Sequence, residues 1–224
     1  MGRHCACPFS VTSMQKLKRL PKQIYVAVSG GVDSVAALHF LNRGHSVTAA
    51  HYVHDSEYAA VEHQFVTQLC DQWGIPLVTA VQPAGMQPGE SRESYWRTGR
   101  YSFFKQLPGT VITGATLDDA VEWYIMTCLR GEGHFMEYSN GNVCRPFLTT
   151  TKAELIGYAR QNNLPWLEDP SNADITAAKR NRIRANLMPE ICQIEPGIFG
   201  IVKKRVIKKA FASQSPTIAC KTQL

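Results

Sequence analysis

A glycine-rich loop between two apolar segments carries the clearest chemical signal of the chain. Residues 24–28 are typical of a buried strand, and residues 35–41 of a helix. A loop that opens a helix presents free backbone N–H groups and the positive end of the helix dipole to a ligand. Glycines let phosphate approach the backbone, hydroxyls donate to it, and an aspartate can hold Mg²⁺. We therefore predict a phosphate site at Ser29, Gly30, Gly31, Val32, Asp33 and Ser34.

Three carboxylates follow the fourth predicted strand. Asp118 and Glu122 are four residues apart and share one face of a predicted helix, and Asp119 lies beside them in its first turn. The helix dipole stabilises negative charge at this end. Clustered carboxylates suit a cationic amino acid, or they can share Mg²⁺ with Asp33. The pattern predicts a cation site near the phosphate site.

An α/β fold would bring these residues together. Apolar strand patterns at 24–28, 46–51, 75–81 and 110–114 alternate with helical patterns at 35–41, 57–73, 92–105 and 117–129. This alternation predicts a parallel sheet flanked by helices, with ligands at the carboxyl ends of the strands. Further along we predict a strand at 143–148, a helix from 151, a helix at 176–188 and a C-terminal helical extension at 199–212.

The predicted domain organisation has four segments. Residues 1–20 are expected to be a flexible leader, 21–135 the core, 136–192 the remainder of the catalytic domain, and 193–224 a basic helical extension and tail. Seven cysteines without a CxxC pair favour free thiols and a cytoplasmic location. No segment approaches the ~20 apolar residues of a membrane span.

Basic residues are concentrated towards the end of the chain. The net charge is +6, and positions 179–209 hold nine Lys or Arg against two Glu. Such an excess favours a polyanionic partner.

The loop at 29–34 resembles the SGGxDS PP-loop of ATP-pyrophosphatases, which cleave ATP between the α- and β-phosphates to adenylate a substrate. Downstream motifs resemble those of tRNA(Ile)-lysidine synthetases. The HxxDDQxET motif of that family keeps Asp118, Asp119 and Glu122 here, without the His, Gln and Thr. An ExxxRxxRY motif at 93–101 precedes it. An RPLL-like motif, a DxSN motif and an RNxxR motif follow in the family's order, at 145–148, 169–172 and 180–184.

The resemblance implies an activity and its ligands. ATP with Mg²⁺ would adenylate the C2 carbonyl of a wobble cytidine, and lysine would displace AMP to give lysidine. The partners would be free L-lysine and the anticodon loop of a tRNA, tRNA-Ile with a CAU anticodon. Many family members carry further C-terminal domains, so a short form is expected. The oligomeric state stays open.

The resemblance also implies roles for individual residues. ATP would be bound by 29–34 and by His51, with Mg²⁺ on Asp33 and Asp118, and lysine would be held by Asp118, Asp119 and Glu122. Arg97 and Arg100 would grip a phosphate or stabilise charge on the adenylated intermediate. The residues expected against RNA are Arg180, Arg182, Arg184, Lys203, Lys204 and Arg205.

Two alternatives remain open at the level of sequence. One is a tRNA thiolase of the same superfamily, although the chain has no CxxC pair. The other is a degenerate module that binds ATP or tRNA without turnover. For the basic residues, a solvated helix face is the simpler alternative.

Overall fold

The computed structural model of the chain describes residues 14–83, 85–86, 88–168 and 179–212. Its six strands form one sheet in the order β3-β2-β1-β4-β6-β5. The strands are β1 (Gln23–Ala27), β2 (Ser46–Val53), β3 (Leu77–Val81), β4 (Val111–Ile112), β5 (Ser139–Asn140) and β6 (Val143–Cys144). All neighbouring pairs are parallel except β5 with β6. The predicted parallel α/β sheet is confirmed, and β5 and β6 extend it beyond the predicted core segment.

Helices connect the parallel strands and continue after the sheet. They are α1 (Val32–Asn42), α2 (Ala59–Trp73), α3 (Arg92–Gln106), α4 (Leu117–Cys128), α5 (Lys152–Gln161), α6 (Lys179–Arg182), α7 (Met188–Ile194) and α8 (Ile198–Ala212), with a π-helical turn at Ile183–Leu187. Within the described ranges, none of these helices has the length and apolar character needed to cross a membrane.

Successive side chains of β1 point to opposite faces of the sheet and pack in two different apolar clusters. Ile24 and Val26 are buried with residues of α1, α2 and α5 in the largest apolar cluster. Tyr25 instead packs on the opposite side, where Phe104 of α3 is buried. Because both faces are covered, β1 has the continuous apolar character expected of a central parallel strand.

The C-terminal helix packs on α4. Val202 and Val206 of α8 are buried in a second apolar cluster together with Val121. This burial attaches the predicted C-terminal helical extension to the sheet domain. On the outer side of α8, Lys203, Lys204, Arg205 and Lys208 are exposed.

Residues 14–20, which the sequence assigns to a flexible leader, pack against the domain. Met14 is buried, Leu17 N donates to Pro146 O over 2.8 Å, and Thr150 Oγ1 donates to Gln15 O over 3.3 Å. Residues 1–13 lie outside the described residues. The apolar Met14 and Leu17 explain why this part of the segment is held.

Prolines explain several differences from the predicted boundaries. β3 begins at Leu77, after Pro76, and the strand predicted at 143–148 ends at Cys144, before Pro146. Proline has no N–H for a strand or helix hydrogen bond. The helix predicted to end at 188 continues through the π-helical turn into α7, where Pro189 lies in the first turn. The predicted start of that helix, at 176, lies outside the described residues.

Candidate functional site

The phosphate loop, residues 29–34, joins β1 to α1 and is closed by its own side chains. Ser34 Oγ donates to Gly31 O over 2.9 Å and accepts from Ser29 N over 3.1 Å. Gly30 has φ +88°, a conformation that favours glycine. The loop lines an open cleft, so the N-terminus of α1 is accessible to an anion.

The N-termini of three helices meet at Asp33. A Cβ at Gly114 would lie 2.7 Å from Asp33 O, so only glycine allows β4 to end this close to α1. Leu117 N, at the start of α4, donates to Thr150 O over 2.8 Å, which joins α4 to the turn before α5. The positive ends of the three helix dipoles therefore face the same part of the cleft.

Asp33 combines an ion pair with an oxygen that has no donor. Its Oδ2 lies 3.2 Å from Lys152 Nζ, and its buried Oδ1 has no hydrogen-bond partner among the described residues. Burial raises the pKa of Asp33; the Lys152 ammonium opposes this increase and Asp119 adds to it. An unpartnered carboxylate oxygen fits Mg²⁺, which commonly takes only one or two protein carboxylates.

Across the described ranges, no group of three or more His, Cys, Asp or Glu side chains is arranged to hold a metal ion. Magnesium commonly takes one or two protein carboxylates and completes its shell with substrate phosphates and water, so Asp33 and Asp118 would suffice as protein ligands.

Asp118 and Asp119 hold the starts of two helices. Asp118 Oδ2 accepts from Lys152 N over 2.7 Å, at the beginning of α5. Asp119 Oδ2 accepts from Thr116 N over 2.7 Å, and Asp119 N donates to Thr116 Oγ1 over 3.3 Å, which forms a capping box on α4. Burial is the main cause that raises the pKa of Asp118. Both carboxylates thus have structural partners in addition to their proposed cation.

Glu122 is buried and bound by two arginines. Its carboxylate accepts from Arg180 Nε over 2.6 Å and from Arg184 through two bonds of 2.6 and 2.9 Å. A second nitrogen of Arg180 donates to Asp119. Residues predicted to bind lysine are therefore paired here with residues predicted to bind RNA. The pairing places carboxylates and guanidinium groups of opposite charge side by side in the cleft.

Helix α3 lines the same cleft with two arginines. Arg97 lies over the rings of Tyr101 and Trp123, with its guanidinium carbon 5.1 and 5.8 Å from the ring centroids. Arg100 also lines the cleft, and burial lowers its pKa. A Cβ at Gly99 would clash with the Tyr52 hydroxyl, so α3 approaches β2 more closely than a side chain at this position would permit.

The two histidines at the end of β2 differ in position. His51 is buried, its Nδ1 lies 2.8 Å from Val28 O, and its ring stacks on His63. His54 lines the cleft, with its ring centroid 5.0 Å from that of Trp96. The imidazole on the cleft is thus that of His54, whereas the sequence predicts a nucleotide contact for His51.

The other residues predicted to bind RNA are exposed. Arg182, Lys203, Lys204 and Arg205 are exposed, the last three on α8. They can contact a polyanion without breaking a buried ion pair, unlike Arg180 and Arg184. The turn predicted at 169–172 lies outside the described residues.

Lys152 and Arg145 have positions that the sequence analysis missed. Arg145 is buried and donates to Glu137 O over 3.0 Å and to Tyr101 Oη over 2.9 Å, so it links β6 to α3. Lys152 contacts both aspartates through different atoms: its Nζ reaches Asp33, and its backbone N reaches Asp118. The helix predicted from 151 places Lys152 in its first turn, but the sequence gives no sign of these partners.

Comparison with known proteins supports the resemblance. Residues 9–191 match the family model for the PP-loop domain. A tRNA(Ile)-lysidine synthase of Pseudomonas fluorescens (strain Pf0-1) is 35% identical, over 73% of this chain and 40% of that protein. One of Escherichia coli O157:H7 is 35% identical, over 78% of this chain and 44% of that protein. The bifunctional protein TilS/HprT of Listeria monocytogenes is 32% identical, over 82% and 32%. The chain thus spans less than half the length of these relatives.

A solved structure confirms the fold. The U34-tRNA thiolase NcsA from Methanococcus maripaludis, with its [4Fe-4S] cluster, superposes with a TM-score of 0.61 at 14% identity, covering 88% of this chain and 74% of that one. This identity is low enough that the likeness concerns the fold alone. The residues that match the family model include the loop at 29–34 and the sheet that carries it. The chain therefore belongs to the PP-loop domain family.

Proposed function

We propose that this chain carries the catalytic site of a tRNA(Ile)-lysidine synthetase, which uses ATP and L-lysine to convert the wobble cytidine of a tRNA to lysidine. The observation that carries the proposal is the connection of Asp33 in the phosphate loop to Asp118 in the carboxylate cluster through Lys152. A nucleotide seated on the loop and a cation held by the cluster would therefore be neighbours. The similarity to relatives with this name supports the same activity.

The first step activates the base. The C2 carbonyl oxygen of cytidine attacks the α-phosphorus of ATP, the bond from that phosphorus to the bridging oxygen breaks, and pyrophosphate leaves with the electron pair. Arg97 and Arg100 line the cleft and would stabilise charge on the α-phosphate. Asp33, with Asp118 nearby, would hold Mg²⁺, which would neutralise charge on the phosphates.

The second step joins lysine to the base. The ε-amine forms a bond to C2, the C2–O bond breaks, AMP leaves with its electron pair, and the amine nitrogen releases a proton. The α-carbon of free lysine carries a positively charged ammonium group and a negatively charged carboxylate. Asp119 and Glu122 would bind its α-ammonium group, while Arg180 and Arg184, already paired with Glu122, offer partners for its α-carboxylate.

The RNA partner would be an anticodon loop. Unstacked loop bases can enter a protein pocket, whereas a paired base cannot be reached without opening the helix. The exposed Arg182, Lys203, Lys204 and Arg205 would contact the phosphate backbone. We propose tRNA-Ile with a CAU anticodon as the substrate.

Nucleoside mass spectrometry of tRNA incubated with the protein, ATP, Mg²⁺ and lysine tests this function. We expect a cytidine whose mass increases by that of lysine less one water, together with pyrophosphate release that requires tRNA and ATP. Incubation without lysine is the control. Nucleotide and tRNA binding without pyrophosphate release would instead identify a binding module, and sulfur incorporation would identify a thiolase.

A further inference from the structure

Trp123 lines the cleft but has no role in the activity proposed above. It lies on α4 one residue after Glu122 and four residues after Asp119, so its ring follows the Asp119 carboxylate on the same face of the helix. The HxxDDQxET motif has threonine at this position, whereas this chain has tryptophan. A large aromatic ring beside the carboxylates is therefore a departure from the motif.

The ring of Trp123 is not part of the apolar core. None of the three apolar clusters formed by the described residues includes it, whereas the next residue, Tyr124, packs against the cluster shared by α4 and α8. The side chain of Trp123 is only partly buried. Core packing therefore does not explain why tryptophan occupies this position.

Part of the indole surface of Trp123 is left for a ligand. The guanidinium carbon of Arg97 lies over the ring, 5.8 Å from its centroid. Within the part of the chain that the structure describes, no second cation or aromatic ring contacts the indole, and its N–H has no hydrogen-bond partner. Aromatic rings with a polar group usually bond that group when it is buried, so the N–H is placed to meet a bound molecule or water.

The proposed reaction constrains where the cytosine ring can lie. C2 of the base must be within reach of the α-phosphate in the first step and of the lysine amine in the second. Arg97 is assigned to the α-phosphate, and Asp119 and Glu122 are assigned to lysine. Trp123 contacts Arg97 and lies on the helix that carries both carboxylates. A base stacked on the indole would therefore lie between the two reactants.

We propose that Trp123 is the stacking surface for the wobble nucleobase of the tRNA, with Arg97 on one face of the indole and the extruded pyrimidine on the other. This inference rests on the proposed function. Aromatic side chains stack unpaired bases, and this contact offsets the stacking that a base loses when it turns out of the anticodon loop. The indole N–H would donate a hydrogen bond to the same nucleotide.

Binding of two anticodon stem-loop RNAs to the full chain tests the assignment. One RNA has cytidine at the wobble position, and the other lacks only this base. Fluorescence anisotropy is measured with Mg²⁺ and saturating α,β-methylene-ATP, in which a methylene group replaces the bridging oxygen so that adenylation cannot occur. We expect the unmodified protein to bind the cytidine loop about tenfold more tightly. Trp123→Leu should bind the two loops equally, and Trp123→Phe should keep most of the preference.

Trp96→Leu is the matched control. Trp96 lines the same cleft, but its ring already contacts His54 and Arg92, and its indole N–H donates to Asp55. This variant should keep the preference for the cytidine loop. Thermal unfolding should show that all three variants are folded.

Several results would overturn the stacking role of Trp123. They are equal binding of the two loops by the unmodified protein, a full preference in Trp123→Leu, loss of the preference in folded Trp123→Phe, and an equal loss in Trp96→Leu. Weaker binding of α,β-methylene-ATP alone by Trp123→Leu would assign the ring to adenine instead. If the unmodified protein bound neither RNA nor the nucleotide, the proposed function itself would be wrong.

Discussion

Arg180 donates through Nε to Glu122 Oε2 over 2.6 Å, across 58 positions of the chain. The two residues were expected to bind different ligands, RNA and lysine. Their contact means that the carboxylate of Glu122 is already neutralised within the protein. A cationic substrate must therefore share Glu122 with a guanidinium group or displace it.

Glu122→Gln tests this pairing. The variant leaves Arg180 and Arg184 without their shared charge, so we expect the free energy of unfolding to fall by about 1–3 kcal/mol. The KM for lysine should increase in parallel, with ATP binding unchanged. Urea unfolding and the lysine dependence of lysidine formation measure the two effects. Glu137→Gln, which removes an exposed ion pair with Lys209, should change stability by less than about 0.5 kcal/mol.

Arg182→Ala tests RNA binding without disturbing the ion pairs of Arg180 and Arg184 with Asp119 and Glu122. Arg182 is exposed, whereas Arg180 is bonded to Asp119 and Glu122. We expect Arg182→Ala to leave stability unchanged and to weaken tRNA binding, with the slope of log K against log salt reduced by about one. Filter binding over a range of salt concentrations measures this slope. An unchanged slope would show that Arg182 makes no phosphate contact.

Asp33→Asn should separate activity from stability. Since burial raises the pKa of Asp33, its ionised form is disfavoured in the folded protein, and a neutral isostere removes that cost. We expect stability that is unchanged or increased, and pyrophosphate release that is abolished. Denaturant unfolding beside a pyrophosphate assay gives both values. Normal pyrophosphate release would exclude Asp33 from the chemistry.

Thr116→Ala should destabilise the start of α4. The hydroxyl of Thr116 accepts from Asp119 N, and the residue is buried. Loss of this cap should cost about 1 kcal/mol in the free energy of unfolding. Thr151→Ala removes the equivalent cap of α5 and provides the comparison. A change that appears only in catalysis would contradict a capping role for Thr116.

His54 should make stability depend on pH. Burial lowers its pKa from 6.5 to about 4, with Arg100 and His51 adding to the decrease and Asp55 opposing it. As the pH falls, the unfolded chain therefore binds this proton before the folded chain does. The contribution of neutral His54 to the free energy of unfolding is complete above pH 6.5 and is lost as the pH falls towards 4. His54→Gln should reduce the loss of stability across this interval. Urea midpoints at several pH values, with and without the substitution, measure the difference.

The parts of the molecule that the sequence predicts well are local in sequence. Residues 24–41 contain a strand, a glycine turn and a helix in direct succession, and the structure has the same order. The contact of Lys152 with Asp33 joins positions 119 apart, and no periodicity or motif in the chain indicates it. The bonds between Glu122 and the arginines were missed for the same reason, since matching charges far apart in sequence specify no partner.

His51 and His54 show a second limit of prediction from the sequence. The sequence predicts a nucleotide contact for His51, whereas the structure places the imidazole of His54 on the cleft. Side chains of a strand alternate between its faces only while the strand remains regular, and β2 ends at Val53, between the two histidines.

The packing of α3, which carries Arg97 and Arg100, depends on a glycine. Gly99 lies between Arg97 and Arg100, and its hydrogen atom is all that separates α3 from the Tyr52 hydroxyl. An alanine at this position would meet the Tyr52 hydroxyl and the Gln82 amide oxygen, so either these side chains or α3, which carries both arginines, would have to move. The close packing of α3 on the Tyr52 and Gln82 side chains thus depends on a residue that has no side chain.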